Sequence, residues 1–205
     1  EKHLERKIIF IYGILSFFAI FNWYKDRTIF IFDDNWFPLN PSANVEAFKY
    51  IWSIYDMGGI SAGSPNYHYS LWFLILTKIG LPLWLAQAIT YFLLLFTAFY
   101  SMFILIKFIL IRIYINNTKS YNYNKILIIS FVTSLFYIFN PYSMAEVWLR
   151  FLTKMPITYA IYPLFLYLLI KLYYKRKVIY QLAWPILLYL LLQGTPKIWV
   201  FLALY

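Results

Sequence analysis

The chain has 205 residues, 63% hydrophobic and 24% aromatic with only 13% charged, and a mean hydropathy of +0.65. An ordinary soluble domain carries about a quarter charged residues, so the composition argues against one and predicts an integral membrane protein. The net charge of +10 comes from Lys and Arg at the ends of apolar segments, with no interleaved basic patch for nucleic acid; the lack of cysteine excludes disulfides, thiolate metal sites and cysteine nucleophiles.

Residues 1–7 are charged, and the apolar run 8–24 has no small-residue cleavage site, which predicts a retained first span ended by Asn22 and by Lys25, Asp26 and Arg27. Residues 25–70 then read as a long polar-aromatic loop. Near its start stand Asp33 and Asp34, the one pair of adjacent carboxylates in the chain. Two ionised groups at a membrane surface repel each other and attract a cation or a proton, which points to catalysis or substrate binding. Asp, Asn and Pro also start plain turns, and that reading stands beside the first. Further on, Asn40 is placed to cap a helix with Pro41 at its first position, where the missing N–H costs nothing. Val45, Phe48, Trp52 and Tyr55 recur at spacings of three and four, with Glu46, Lys49, Ser53 and Asp56 on another stripe. This spacing predicts an amphipathic helix lying on the membrane surface. Gly58, Gly59, Gly63, Ser64 and Pro65 break it and lead into Asn66, Tyr67, His68 and Tyr69.

Residues 71–79 are apolar but too short to cross a bilayer, which takes about 20 residues, so they read as a re-entrant or interfacial piece. Further spans are expected at about 83–106, with the helix continuing to about Ile115, then at 126–139, stopped by Asn140 and Pro141, and at 156–172 and 178–192. Another begins at 198, and the two ends of the sequence predict a piece of a longer protein, the whole of 1–205 being the N-terminal part of one all-α transmembrane domain. In the segment 140–155, Glu146, Arg150 and Lys154 fall on one helical face. Basic residues gather on the cytoplasmic side of short loops. Lys107, Arg112, Lys119 and Lys125 flank one acid-free connection, and Lys171, Lys175, Arg176 and Lys177 flank another. Both belong inside together with the N-terminus, leaving 25–70, 140–155 and 193–197 outside the cytoplasm.

That partition gathers six of the eight acids, with His68, Arg150, Lys154 and Lys197, on one side. A first span, a large outer loop with a carboxylate near its start and a surface helix, then many further spans, resembles the arrangement of the GT-C membrane glycosyltransferases. Within them the arabinofuranosyltransferase-like branch is the most similar. Asp33 and Asp34, then Trp52, Asp56, Gly58 or Gly59, and Asn66, Tyr67 and Tyr69 match its pattern, as does the later run Phe139, Asn140, Pro141, Tyr142. The likeness covers roughly residues 1–160. The chain departs in its length, in a shortened loop around Asp33 and in having no soluble carbohydrate-binding part.

The resemblance implies a multi-pass protein of the cell membrane that moves a sugar from a polyprenyl-phosphate donor to a glycan or glycoprotein acceptor outside the cytoplasm, with inversion and without a resident cofactor. An acceptor hydroxyl is a poor nucleophile, so a carboxylate must take its proton, a role for Asp33 or Asp34. The departing lipid phosphate gains negative charge that Arg150, Lys154 or Lys197 would offset. Substrate-binding candidates are Trp36, Trp52, Asp56, Asn66, Tyr67, His68 and Glu146. An interfacial aromatic belt accounts for the rings equally well, and a helical side-chain pair for Glu146 with Arg150. A divalent cation held between Asp33, Asp34 and phosphate oxygens is the second option for the acids. The rival reading is a non-enzymatic membrane protein, a transporter or a structural subunit of an envelope complex. Transporters, however, often carry internal repeats, which this sequence lacks.

Overall fold

A computed structural model describes residues 2–31, 37–49, 52–53, 59–60, 67–117, 122–150 and 154–175. They form α1 (Lys2–Tyr24), α2 (Pro41–Phe48), α3 (Tyr67–Lys78), α4 (Leu83–Asn117), α5 (Tyr123–Phe139), a π-helix (Ser143–Trp148) and α6 (Lys154–Lys175). The only extended pairing among the described residues is two residues long, β1 (Trp52–Ser53) against β2 (Gly59–Ile60), with Trp52 opposite Ile60. Apart from this short pairing, the described residues with regular structure are helical, as composition and periodicity predict. Two of these helices, α4 over Leu83–Ile113 and α6 over Met155–Tyr174, are long and apolar enough to cross a membrane. α5 is apolar but has 17 residues, and α1 opens on Lys2, Glu5, Arg6 and Lys7. The spans expected at 178–192 and from 198 lie outside the described residues.

α4 is the centre of the bundle, packing against α1, α3, α5 and α6. The direction of each neighbour follows from its contacts. Glu5, near the start of α1, pairs with Lys107, and Tyr12 stacks on Phe99 at 5.1 Å. Ile20 and Tyr24 cluster with Ala88 and Tyr91, so α1 runs antiparallel to α4. α5 runs alongside α1 in the same sense, from Tyr123 at Glu5 to Ser134 at Tyr12, where the two hydroxyls are 2.6 Å apart. α6 runs with α4, Ser101 donating to the Ala160 carbonyl at 2.9 Å and Arg112 lying 4.5 Å above the Tyr174 ring. Small residues line these seams, among them Ala86, Ala98, Ser101, Ser130, Ser134 and Ala160, all buried. They let helix backbones approach closely. Hydroxyls inside the helices bond to the preceding turn, Ser130 to Ile126 and Thr133 to Ile129, both at 2.8 Å.

Two prolines shape the junction of α5 and α6. A proline has no N–H to give the carbonyl four residues before it. Pro141 therefore orphans the Tyr137 carbonyl, and Pro163, inside α6, orphans that of Tyr159. Each tyrosine serves the other. The Tyr137 hydroxyl donates to the Tyr159 carbonyl at 2.8 Å, and the Tyr159 hydroxyl donates to the Tyr137 carbonyl. The two rings stack at 4.2 Å, and Trp148, fully buried in the π-helix, meets Tyr159 edge-on.

Two sequence expectations are corrected. The surface helix stops at Phe48 instead of continuing through Trp52, because eight residues are a marginal length for a helix and the β-branched and aromatic run Ile51, Trp52, Ile54, Tyr55 favours extended backbone. The apolar piece 71–79 belongs to α3, which begins at Tyr67 and packs on both α2 and α4. Glu146, Arg150 and Lys154 do not share one helical face: the π-helix ends at Trp148, Arg150 lies in a turn, and Lys154 opens α6. The expected cap does form, the Asn40 side chain accepting from the Ala43 N–H with Pro41 at the first helical position.

Candidate functional site

The C-terminal end of α1, the segment leaving it, α3 and the first turns of α4 converge at one end of the bundle. Gln87 organises it. This fully buried amide accepts the Phe30 N–H at 2.9 Å and donates to the Phe30 carbonyl at 2.7 Å, a two-point grip that imitates one rung of a β-ladder. The Phe30 ring packs edge-on against Tyr24 at 5.1 Å. Beyond the acidic stretch, Phe37 is buried against Phe73 of α3, centroids 5.0 Å apart, and Phe73 also meets Tyr69. α3 is joined to α4 by the Trp72 indole, which donates to the Thr90 hydroxyl at 2.9 Å. It closes in a Schellman turn in which the Gly80 N–H bonds to Thr77, the Leu81 N–H bonds to Leu76, and Gly80 takes a φ of 93°. The chain is therefore fastened on both sides of residues 32–36, to α4 at Phe30 and to α3 at Phe37.

Asp33, Asp34 and Trp36 lie outside the described residues, as do Asp56, Asn66 and Lys197. Trp52 and Lys154 are placed only by their backbone, in β1 and at the start of α6. Tyr67 and His68 occupy the first turn of α3, their rings edge to face at 5.4 Å, with His68 exposed. Glu146 and Arg150 pair at 2.7 Å, each about two-fifths exposed. A half-exposed pair of this kind contributes about 0.5 kcal/mol or less, and it engages the arginine that the sequence assigned to phosphate. Among the described residues, no group of three or more His, Asp or Glu stands together as a metal centre.

Two groups of candidates are thus carried by different parts of the bundle. Tyr67 and His68 belong to α3, which packs on α2 and α4, whereas Glu146 and Arg150 belong to the π-helix and the turn that follow α5. Both α1 and α5 run towards the same end, so the segments after them exit in the same direction. They exit at different heights: α5 ends where Phe139 meets Phe99, while the segment after α1 is gripped at Gln87. The twelve residues between Gln87 and Phe99 measure about 18 Å along a helix. Sequence reasoning did not find Gln87, because its partner is 57 positions away, nor did it assign a binding role to Lys25 and Arg27, which stand at this same end beside Trp84.

Replacing Gln87 by Leu is expected to lower stability by about 1–2 kcal/mol, since it removes the two hydrogen bonds between the buried Gln87 amide and the Phe30 backbone. A thermal melt of the variant in detergent measures the loss, and an unchanged melting temperature would show that the grip contributes nothing. Comparison with protein-family models, with curated protein sequences and with solved structures finds no match to this chain.

Proposed function

We propose that the chain is part of a polytopic membrane glycosyltransferase of GT-C type, moving a sugar from a polyprenyl-phosphate donor to a glycan or glycoprotein acceptor outside the cytoplasm. The observation that carries this reading is the fastening of the chain on both sides of Asp33 and Asp34 to one end of an apolar helix bundle. A general base has to be held to within a fraction of an ångström, and short anchored stems on rigid helices are what such precision requires. Membrane placement is supported by the surface of the two long helices. Only 39% of the most apolar stretch of α4 and 22% of that of α6 are buried within the protein, whereas a core helix of a soluble protein is mostly buried. Phe10, Phe17, Phe18, Phe21, Val132 and Phe136 are each more than half exposed on the neighbouring helices, a surface suited to lipid.

In the proposed reaction Asp33 or Asp34 takes the proton of the acceptor hydroxyl as its oxygen bonds to the anomeric carbon and the bond to the lipid phosphate breaks, giving inversion in one displacement. Arg150, Lys154 or Lys197 offsets the charge of the departing phosphate, and Trp36, Trp52, Asp56, Asn66, Tyr67, His68 and Glu146 bind substrate. The proposed topology sets the N-terminus in the cytoplasm and the acidic loop outside.

The test is transfer of label from a polyprenyl-phosphate-linked sugar to endogenous acceptor in membranes that contain the protein. Release of labelled glycan dependent on the chain is expected. A chain that inserts into the membrane but transfers no label from any such donor would leave the structural-subunit reading. Topology is checked separately. The chain has no cysteine, so a single Ser42→Cys is expected to react with an impermeant maleimide from outside and Thr118→Cys only after the membrane is opened. The reverse pattern inverts the proposed orientation.

A further inference from the structure

A groove of about 380 Å³ runs along the seam of α1 and α4 at the end where Gln87 holds the chain. Its floor is apolar, with Phe17, Ile20 and Phe21 on one side and Leu85 and Ala88 on the other. Phe17 and Phe21 are more than half exposed, so the groove opens sideways onto the outer surface of the bundle. Its upper rim is different in kind: Lys25 and Arg27 line it, while Asp26 between them is not among the lining residues. The Arg27 guanidinium lies 6.0 Å from the centre of the Trp84 ring. Its backbone takes the left-handed conformation, φ 55°, with its N–H bonded to the Tyr24 carbonyl at 3.0 Å. A residue with a side chain adopts that conformation at a cost, and the turn it makes brings the guanidinium beside Trp84 at the rim.

We infer that this groove binds one anionic phospholipid of the surrounding bilayer, its phosphate between Lys25 and Arg27 and an acyl chain along the floor. Charge complementarity selects the headgroup, because two cations at the end of an apolar trough match a molecule with one negative group and a hydrocarbon tail, and guanidinium matches phosphate oxygens in geometry as well as charge. The sideways opening selects the source: an occupant enters from the plane of the membrane without leaving it. The inference rests on the membrane placement proposed above and is independent of sugar transfer.

The detergent-purified chain is offered equimolar phosphatidylglycerol and phosphatidylcholine, and the retained lipid is counted by native mass spectrometry. One phosphatidylglycerol per chain is expected, with retention at least tenfold lower in the double variant Lys25→Gln, Arg27→Gln. Both side chains are exposed, so the variant is expected to keep its thermal melt. Equal retention of the two lipids, or no change in the variant, overturns the inference. Displacement by glycerol phosphate overturns the seating of a chain in the groove, and displacement by equimolar polyprenyl phosphate overturns the choice of a bulk lipid. A chain that stays soluble without detergent overturns the membrane placement and this inference together, whereas one that needs detergent but shows no preference overturns the groove alone.

Discussion

Asp33→Asn or Asp34→Asn is expected to lower the rate of sugar transfer by about 10²–10⁴-fold, the range that a positioned general base contributes. Asn keeps the size and shape of the side chain and can no longer take a proton, so expression and membrane insertion should be unchanged. One of the two acids carries the effect if it is the base. If instead the pair holds a divalent cation, both substitutions lose activity, and a chelator does the same to the parent protein. Two fully active single variants would remove the acids from the mechanism and leave them as residues of a turn. The assay is label transfer from a polyprenyl-phosphate-linked sugar at saturating acceptor, so that the loss is read in the chemical step.

The second large effect concerns the tyrosine pair. Tyr137→Phe is expected to cost about 1–3 kcal/mol, the penalty for leaving a buried acceptor unmet, because Pro163 supplies no N–H to the Tyr159 carbonyl and the Tyr137 hydroxyl is its partner. Tyr159→Phe should cost less. The Tyr137 carbonyl also accepts from the Asn140 amide at 2.8 Å and from the Ser143 hydroxyl at 3.1 Å, so it keeps partners when the phenol is gone. The asymmetry is the signature of the arrangement, since stacking alone would be preserved by both substitutions. A further variant gives a sharper check. Pro163→Ala restores a backbone N–H, so the cost of Tyr137→Phe should shrink in that background, as a double-mutant cycle of thermal melts would record. Equal costs for the two phenylalanine variants would mean that the hydroxyls are not what holds the junction.

Local features of the fold were legible in the residues. Asn40 followed by Pro41 announces a helix start, and Asn140 followed by Pro141 announces the end of α5; both are contained within a few consecutive positions, where capping and proline chemistry act. The end of α2 was legible in principle, since Ile51 to Tyr55 carries strand-forming residues, but the three-and-four spacing of Val45, Phe48, Trp52 and Tyr55 suggested a longer helix. The tyrosine bracket leaves a visible trace, a Tyr four residues before a Pro at 137–141 and again at 159–163. One such spacing is unremarkable, and only the stacking of Tyr137 on Tyr159 shows that the two answer each other. Gln87 had no trace. A glutamine within an apolar helix invites the question of what it bonds, yet the answer is a backbone 57 residues earlier, and no local pattern encodes that distance. For the candidate site the difference is similar in origin: the residue types were readable, while their heights along the bundle depend on where α1 and α5 stop against α4.

The 35 residues of α4 amount to about 52 Å of helix, against roughly 30 Å of hydrocarbon in a bilayer. Leaning by about 40°, the steepest tilt common among membrane helices, still leaves about 10 Å over. In a membrane-spanning α4 the excess has to be accommodated among the lipid headgroups. If α4 crosses a membrane and its first turns are the part that protrudes, the grip on Phe30 stands at the water boundary, the ledge at which the proposed acceptor and lipid-borne donor would meet.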